Sequence, residues 1–274
     1  MTIRRLYPDT EESGAAGEEV SLEGLYLGLN LHRAAADGEV LIYSNYVASL
    51  DGRISRFIPD TGDYEVPASL ANGRDWRLYQ ELAAQSDVLI TSARYFRHLS
   101  SGTAQDMLPV GSGFDDLRQW RADQGLAEQP AVVILSRTLE IPLEAIDMLQ
   151  GRDIHVFTSA NAPAGMRHAL ENRGVRVTVA GESDVEGVRL KEALICCGFK
   201  SAYMIAGPEV HRTLIEADVL DQLFLSTRFT LLGSEKSHGF CEGELSLPHS
   251  MRLQTLYLDT EGEQLFGRYI PEKP

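Results

Sequence analysis

The stretch that decides the fold is residues 201–225, SAYMIAGPEVHRTLIEADVLDQLFL. It opens with a short apolar run, turns at Ala206-Gly207-Pro208-Glu209, continues with apolar residues at helical spacing, and ends in a second apolar run. A strand, a turn, a helix and a strand in this order are typical of a sheet whose strands alternate with helices. The same alternation runs through residues 74–208, so the sequence predicts a largely parallel sheet covered by helices on both faces.

The remaining elements fit the same plan. The predicted strands lie at 40–47, 87–92, 131–136, 153–158, 175–180, 201–208 and 220–233, and the predicted helices at 74–86, 162–174, 184–198 and 209–218. Residues 252–260 and 264–270 flank Glu261-Gly262-Glu263 and predict an antiparallel hairpin. Residues 56–73, rich in Pro, Gly and Asp, predict a long connection. The expected fold class is α/β, with a mixed, mostly parallel sheet and a C-terminal hairpin.

Composition narrows the possible partners. The chain has 274 residues, of which 43% are hydrophobic and 24% charged, as in ordinary globular proteins. Its formal net charge of −15 argues against a nucleic-acid partner, because such a surface would repel a polyanion. No stretch approaches 18 consecutive apolar residues, so neither a membrane span nor a signal peptide is predicted. Three cysteines without a disulfide pattern indicate a reducing compartment, and a cytoplasmic protein is expected.

The sequence divides into two parts. Residues 1–39 are predicted to be an acidic N-terminal lead-in, and residues 40–274 a single α/β domain. Within the lead-in, residues 8–23 carry six acidic side chains among Gly and Ala. This composition favours a solvated tail over a functional acidic arm.

Candidate ligand-binding residues follow the predicted strands, because ligands of open α/β sheets bind outside the carboxyl ends of parallel strands. At the 206–209 turn, glycine lets a ligand approach the backbone, and amides at a helix start attract phosphate. Glu209 would compete with an anion there, so an ordinary strand-to-helix turn remains an alternative. The segment Ser49-Leu50-Asp51-Gly52-Arg53 offers a hydroxyl, a carboxylate and a guanidinium, which could serve chemistry or simply close a hydrogen-bonded turn.

Other polar groups are weaker candidates. His238, Cys241 and His249 are of metal-binding types, but their spacing lacks a second close pair, so no metal site is predicted. Cys196 and Cys197 lie on an amphipathic helical pattern, and core packing is expected for them rather than a redox pair.

Three motifs in order resemble the riboflavin-biosynthesis pyrimidine reductase family. They are NYVASLDGRIS at 45–55, LYQELAAQSDVLITSARYFR at 78–97, and MIAGPEVHRTLIEADVLDQLFL at 204–225 followed by LLG. The resemblance extends from about residue 40 to the end. It implies the dihydrofolate-reductase-like fold, a homodimer, and NADPH-dependent reduction of 5-amino-6-(5-phosphoribosylamino)uracil, a small pyrimidine substrate. Nothing resembles the zinc deaminase motifs HxE and PCxxC.

The resemblance also implies roles for individual residues. The implied cofactor contacts are Val47 and Ser49 near the nicotinamide, Ser92, Arg94 and Tyr95 after the next strand, and Gly207, Pro208, Glu209, Val210 and His211 at the diphosphate. Asn45 and Arg97 are the implied substrate contacts. Reduction also needs a proton, for which Asp51 and a water molecule are equal candidates.

Three departures from the family pattern leave the substrate open. Ile205 stands where the family has a substrate-binding Glu, Ala83 where it has an Arg, and Leu99 where it has an Asp. Losing a charged anchor costs about 1.5–3 kcal/mol of binding unless another group compensates. The alternatives are therefore a non-catalytic nucleotide-binding homologue and a reductase of a different pyrimidine or pterin-like compound.

Overall fold

The computed structural model describes residues 1–8, 16–104, 110–111, 113–149, 151–233 and 235–272. These residues belong to two compact units. The first contains Met1–Leu29, Tyr43–Glu81 and Pro208–Pro274, and the second contains Asn30–Ile42 and Leu82–Gly207.

The strands and helices follow the predicted alternation from Leu41 onward. The strands are β1 Thr2–Tyr7, β2 Glu19–Ser21, β3 Leu41–Ser49, β4 Arg53–Ile58, β5 Asp63–Glu65, β6 Val88–Ser92, β7 Ala131–Leu135, β8 Ile154–Thr158, β9 Arg176–Val179, β10 Ser201–Met204, β11 Gln222–Arg228, β12 Ser237–Gly239, β13 Met251–Asp259 and β14 Gln264–Pro271. The helices are α1 Gly73–Ala84, α2 Ala93–Ser101, α3 Asp115–Asp123, α4 Leu143–Asp147, α5 Ala164–Glu171, α6 Gly187–Cys196 and α7 Pro208–Glu216. Two 3-10 turns lie at Leu27–Leu29 and Leu31–Arg33.

The first unit contains a mixed sheet. Its strand order is β2-β1-β13-β14-β11-β3, in which β11 pairs with β3 in parallel and the remaining pairs are antiparallel. Strands β13 and β14 form the predicted C-terminal hairpin. A small antiparallel sheet, β12-β4-β5, lies in the same unit.

The second unit contains a parallel sheet. Its strand order is β10-β6-β7-β8-β9, and every pair is parallel. Strands β7 and β8 are buried at every position, as expected for strands covered on both faces. Phe96 of α2 and Leu170 of α5 pack against them in one apolar cluster. The predicted α/β class, with a mixed, mostly parallel sheet flanked by helices, is confirmed.

The N-terminal lead-in is more ordered than predicted. β2 pairs with β1, β1 pairs with β13, and Leu22 is fully buried. The backbone N–H groups of Gly24 and Tyr26 donate to the buried carboxylate of Glu81, at 2.6 and 3.0 Å. The solvated tail predicted at 8–23 is therefore wrong for residues 19–22, because the short strand β2 pairs with β1 and the next residue, Leu22, is buried. Residues 9–15, which carry Asp9, Glu11 and Glu12, lie outside the described residues.

The long connection predicted at 56–73 contains strand structure. β4 and β5 pair with the register Arg56↔Glu65, Phe57↔Tyr64 and Ile58↔Asp63. Two of the residues that suggested a loop, Pro59 and Gly62, lie in the turn between these strands. Within the described ranges, no helix is long and apolar enough to cross a membrane.

Candidate functional site

The end of β3 presents two different faces. Ser44, Tyr46 and Ala48 are buried, whereas Asn45 and Val47 are partly exposed, as the two-residue period of a strand requires. The buried face packs against α7, because the ring of His211 lies 4.9 Å from that of Tyr46. The predicted contacts Asn45 and Val47 therefore lie on the face away from α7.

His211 is a core residue of the first unit. Its Nδ1–H donates to the carbonyl of Phe240 at 2.7 Å, since a carbonyl can only accept. Its Nε2 therefore accepts from the hydroxyl of Ser44, at 3.2 Å. Burial lowers the pKa of His211 to about 4, so the ring is neutral at physiological pH. The side chain of His211 thus lies in the core, and its cofactor contact stays a prediction.

The turn after β3 is held by a hydrogen-bond network. The Ser49 hydroxyl donates to Asp51 Oδ1 at 2.6 Å, and the Ser49 oxygen accepts from the Arg53 amide at 3.0 Å. The amides of Leu232 and Gly233 donate to the two oxygens of Asp51, at 3.0 and 2.9 Å. The Ser49 hydroxyl, followed by these amides, holds the pKa of Asp51 well below its usual range.

This network bears on the proton donor predicted from the sequence. A carboxyl group that keeps its charge is a poor source of a proton at neutral pH. The contacts of Asp51 instead favour the other role that the sequence allowed, which is closing the turn. Its catalytic role stays a prediction.

The start of α7 is accessible. Glu209 is exposed, and Pro208 and Val210 are partly exposed. The amides of the first turn of a helix have no acceptor within the helix, so the start of α7 offers free donors together with the positive end of the helix dipole. In the second unit, a Cβ added at Gly207 would meet no atom within 4 Å, so nothing blocks the backbone there.

Asp75 is the residue that the sequence analysis missed. It lies in the first turn of α1 and is 8% exposed, and its Oδ1 has no hydrogen-bond partner among the described residues. Burial raises the pKa of Asp75 to about 6, an effect opposed by the Ser226 hydroxyl and by Arg228. In the sequence, a single acidic residue at the start of a predicted helix is expected to interact with the helix dipole. Its burial, which the sequence does not show, is what distinguishes Asp75 from such a residue.

Strand register relates Asp75 to the predicted site. Ser226 of β11 is the register partner of Val47 in β3, and paired residues of parallel strands share a face. The Ser226 hydroxyl is buried and lies near enough to Asp75 to oppose the rise of its pKa, although neither Ser226 Oγ nor Asp75 Oδ1 makes a hydrogen bond of regular geometry with the described residues. This buried pair, on the face of Val47, leaves hydrogen-bonding capacity that a bound water or a polar ligand could use.

The second unit carries the other predicted contacts. Ser92 ends β6 and precedes α2, whereas Arg94, Tyr95 and Arg97 lie in the first turns of α2. The Arg97 side chain is exposed and donates to the carbonyl of Glu140 at 3.3 Å. Tyr95 packs against the apolar cluster of this unit. Ser92, Arg94 and Arg97 stay predicted ligand contacts.

The three departures from the family pattern are packing residues. Ala83 is fully buried, Ile205 is 5% exposed, and Leu99 packs partly buried against the apolar cluster of the second unit. The Ile205 amide continues the pairing of β10 with β6 by donating to the carbonyl of Ile90 at 2.9 Å. None of the three side chains can replace the charged anchor at its position.

Metal ligands and cavities are the next features to consider around the turn after β3. Within the described part of the chain, no group of three or more His, Cys, Asp or Glu residues could hold a metal ion. A cavity of about 510 Å³ in the first unit is lined by Arg56, Phe57, Pro59, Gly233, Glu235 and Lys236. Gly233 also donates to Asp51, so this cavity adjoins the turn after β3.

Comparison with known proteins identifies the family of the chain. The family model described as RibD C-terminal domain matches residues 40–265. The chain belongs to the RibD C-terminal domain family. The resemblance to riboflavin-biosynthesis pyrimidine reductases is thereby confirmed, and it supports an oxidoreductase at the level of the family. No curated protein matches the chain.

Three solved structures related to the RibD C-terminal domain resemble this one. A pyrimidine reductase-like protein from Corynebacterium diphtheriae is 19% identical with a TM-score of 0.68, and the match covers 93% of this chain and 100% of that chain. RibD from Acinetobacter baumannii is 18% identical with a TM-score of 0.61, covering 86% and 58%. The riboflavin biosynthesis reductase Rib7 from Saccharomyces cerevisiae is 15% identical with a TM-score of 0.58, covering 91% and 99%. These matches establish the dihydrofolate-reductase-like fold.

Proposed function

We propose that the protein is an NADPH-dependent reductase that delivers hydride to an open-chain ribosylamino-pyrimidine or a similar pyrimidine or pterin-like compound. The observation that carries the proposal is Asp75, a buried carboxyl with an orphaned oxygen and a pKa of about 6. Structural carboxyls are usually paired, and perturbed acids with free polar atoms concentrate at functional sites. Family membership supplies the reaction class, and Asp75 supplies the missing acid.

The residues at the start of α7 fit a dinucleotide. The open space at Gly207 and the exposed first turn of α7 suit the cofactor diphosphate, for which the amides of Glu209 and Val210 would be donors. Pro208 has no amide hydrogen, and the His211 amide lies far enough into the helix to bond to the helix backbone. The resemblance to the family implies Val47 and Ser49 as the nicotinamide contacts, and Ser92, Arg94 and Tyr95 as further cofactor contacts. Bound NADPH would supply the hydride. The Glu209 carboxylate opposes phosphate at this turn, so we expect modest affinity.

Asp75 is the better proton source of the two acids. Asp51 is fixed as a carboxylate by donated hydrogen bonds, whereas Asp75 is buried in a place that favours its neutral form. A general acid works best when its pKa lies near the operating pH. We infer that protonated Asp75 donates toward the substrate face of β3, directly or through one water, with Asn45 as a substrate contact.

The packing of Ile205, Ala83 and Leu99 favours a second candidate function. All three positions have lost polar anchors to buried or partly buried apolar side chains. The chain could therefore bind the nucleotide without turning over a substrate. This candidate shares the α7 site with the reductase but assigns no chemistry to Asp75.

Binding and turnover separate these candidates. Calorimetry with NADPH tests both, and no binding at millimolar NADPH would end both. The decrease in NADPH absorbance with the phosphoribosylamino-uracil, and then with a panel of pyrimidines and pterins, tests the reductase. We expect turnover that decreases as the pH rises above about 6, together with an Asp75→Asn variant that binds NADPH normally and turns over at least tenfold more slowly. Binding without turnover of any compound would favour the second candidate.

We also propose that the protein acts in the cytoplasm as a homodimer on a small-molecule substrate, without nucleic-acid or membrane partners. The negative charge and the resemblance to the family support this proposal. Analytical ultracentrifugation of the purified chain tests the dimer, and a monomer at micromolar concentration would contradict it.

A further inference from the structure

A second cluster of reactive side chains lies in the second unit, on the residues around Cys197. The Cys197 sulfur lies 3.7 Å from His155 Nδ1, within hydrogen-bond range for sulfur. His155 Nε2 in turn lies 3.0 Å from Asp153 Oδ2. The imidazole is only 1% exposed, and the ring of Phe199 packs edge-on against it at 5.5 Å. A thiol, an imidazole and a carboxylate therefore form one continuous chain.

The direction of each hydrogen bond in this chain follows from chemistry. An ionised carboxylate can only accept, so His155 Nε2 carries the hydrogen that is donated to Asp153. Nδ1 then has a free lone pair, and the thiol is the group that can donate to it. A nucleophile, a base and a third group that orients the base are the arrangement that activates nucleophilic side chains. Arg176 forms an ion pair with the orienting carboxylate of Asp153, at 3.1 Å.

Cys197 is a partly exposed residue whose thiol retains its proton. Cys197 is partly exposed, directly after the end of α6, whereas Cys196 is more exposed. Burial raises the pKa of the Cys197 thiol, with Arg176 acting in the opposite direction. At neutral pH the sulfur therefore needs a base to become nucleophilic, and His155 is placed to be that base. A cavity of about 290 Å³ in this unit, lined by Gly181 and Arg189 among others, does not include these side chains.

We propose that Cys197 is a modification site that forms mixed disulfides with small-molecule disulfides, assisted by His155 and Asp153. The Cys197 sulfur attacks one sulfur of the reagent as its proton passes to His155 Nδ1. A new S–S bond forms at Cys197 while the S–S bond of the reagent breaks. The departing thiolate takes the proton from His155 and leaves as a thiol. Cys197 is oxidised to the disulfide level, and half of the reagent is reduced to a thiol.

The experiment measures site-resolved rates in the full chain. The protein is mixed with excess glutathione disulfide at neutral pH and quenched with acid, and mass spectrometry follows Cys196, Cys197 and Cys241 separately. We expect Cys197 to react about tenfold or more faster than the more exposed Cys196. Exposure alone predicts the opposite order, so a faster reaction at Cys196 would overturn the proposal.

Two variants identify the assisting groups. We expect His155→Gln to slow Cys197 by about tenfold or more while Cys196 and Cys241 keep their rates. Asp153→Asn changes a half-exposed side chain and should slow Cys197 by a smaller factor. Unchanged Cys197 rates in both variants would refute base assistance. Faster reaction at both Cys196 and Cys197 would also refute it, because it would show that packing merely protects the sulfurs.

Discussion

Replacing Asp75 with asparagine should change how stability depends on pH. Burial raises the folded-state pKa of Asp75 from 3.8 to about 6, so folding favours the protonated acid. The stability associated with this group is complete below its unfolded-state pKa and is lost as the pH rises through the folded-state value. The wild-type protein therefore loses stability between about pH 4 and pH 6 from this source, and Asp75→Asn, which cannot ionise, does not.

The size of the effect follows from the same pKa shift. A shift of about two units corresponds to about 3 kcal/mol over the whole titration, at about 1.4 kcal/mol per unit. Roughly half of that loss, about 1.4 kcal/mol, falls between pH 5 and pH 8, a range that avoids acid unfolding. For a chain of this size it corresponds to a difference of roughly 3–6 °C in melting temperature.

Urea unfolding at pH 5 and pH 8 measures this difference. The free energy of unfolding of Asp75→Asn relative to wild type should rise by about 1.4 kcal/mol between the two pH values. Asp60→Asn, in an exposed turn, serves as the control and should follow wild type. Parallel behaviour of Asp75→Asn and wild type, or a relative fall at pH 8, would refute the buried neutral acid without any reference to activity.

Three further predictions concern charged side chains that bind backbone groups. Glu81→Ala should lower the free energy of unfolding by about 3–5 kcal/mol in urea titrations, because the amides of Gly24 and Tyr26 lose a buried acceptor; a loss below about 1 kcal/mol would contradict this. Arg121→Met should lower the free energy of unfolding by about 3 kcal/mol in the same assay, since the buried guanidinium donates to carbonyls at the end of α1. Unchanged stability would show that those carbonyls find other hydrogen-bond donors. Asp51→Ala should speed hydrogen exchange at the amides of residues 232 and 233 while turnover persists, and abolished turnover would return the catalytic role to Asp51.

The sequence predicted those elements whose signal is local. The succession of strand, helix and strand in 201–225 and the C-terminal hairpin each combine an apolar period with turn residues, and these elements appear in the structure. The N-terminal strands were missed because their partners are distant in sequence. β1 pairs with β13, and Glu81 accepts hydrogen bonds from amides more than fifty residues away. A short strand with alternating charges becomes recognisable only when its partner strand is known.

The candidate site shows the same limit in chemical terms. Asp51 and Asp75 are both acidic residues near a predicted element boundary, and sequence gives no reason to prefer the second. The difference lies in their surroundings, since donated hydrogen bonds stabilise the charge of Asp51 and burial disfavours the charge of Asp75. His211 illustrates the same limit, because its motif position suggested a ligand contact and its side chain lies in the core.

At the three positions where the sequence departs from the family pattern, the apolar residues limit how the site can be changed. Restoring a glutamate at Ile205 would place a carboxylate in a site only 5% exposed, where an unpaired charge is strongly unfavourable. The loss of the family's anchor is therefore built into the packing of the second unit and is not a surface change that one substitution reverses. If the chain is a reductase, polar recognition of its substrate has to come from other groups, and the buried carboxyl of Asp75, whose Oδ1 makes no regular hydrogen bond with the described residues, is one of them. Protonated Asp75 pairs best with a compound that presents an acceptor beside an N–H donor, which makes an amino-substituted pyrimidine a better substrate to test than one that relies on charge at the lost positions.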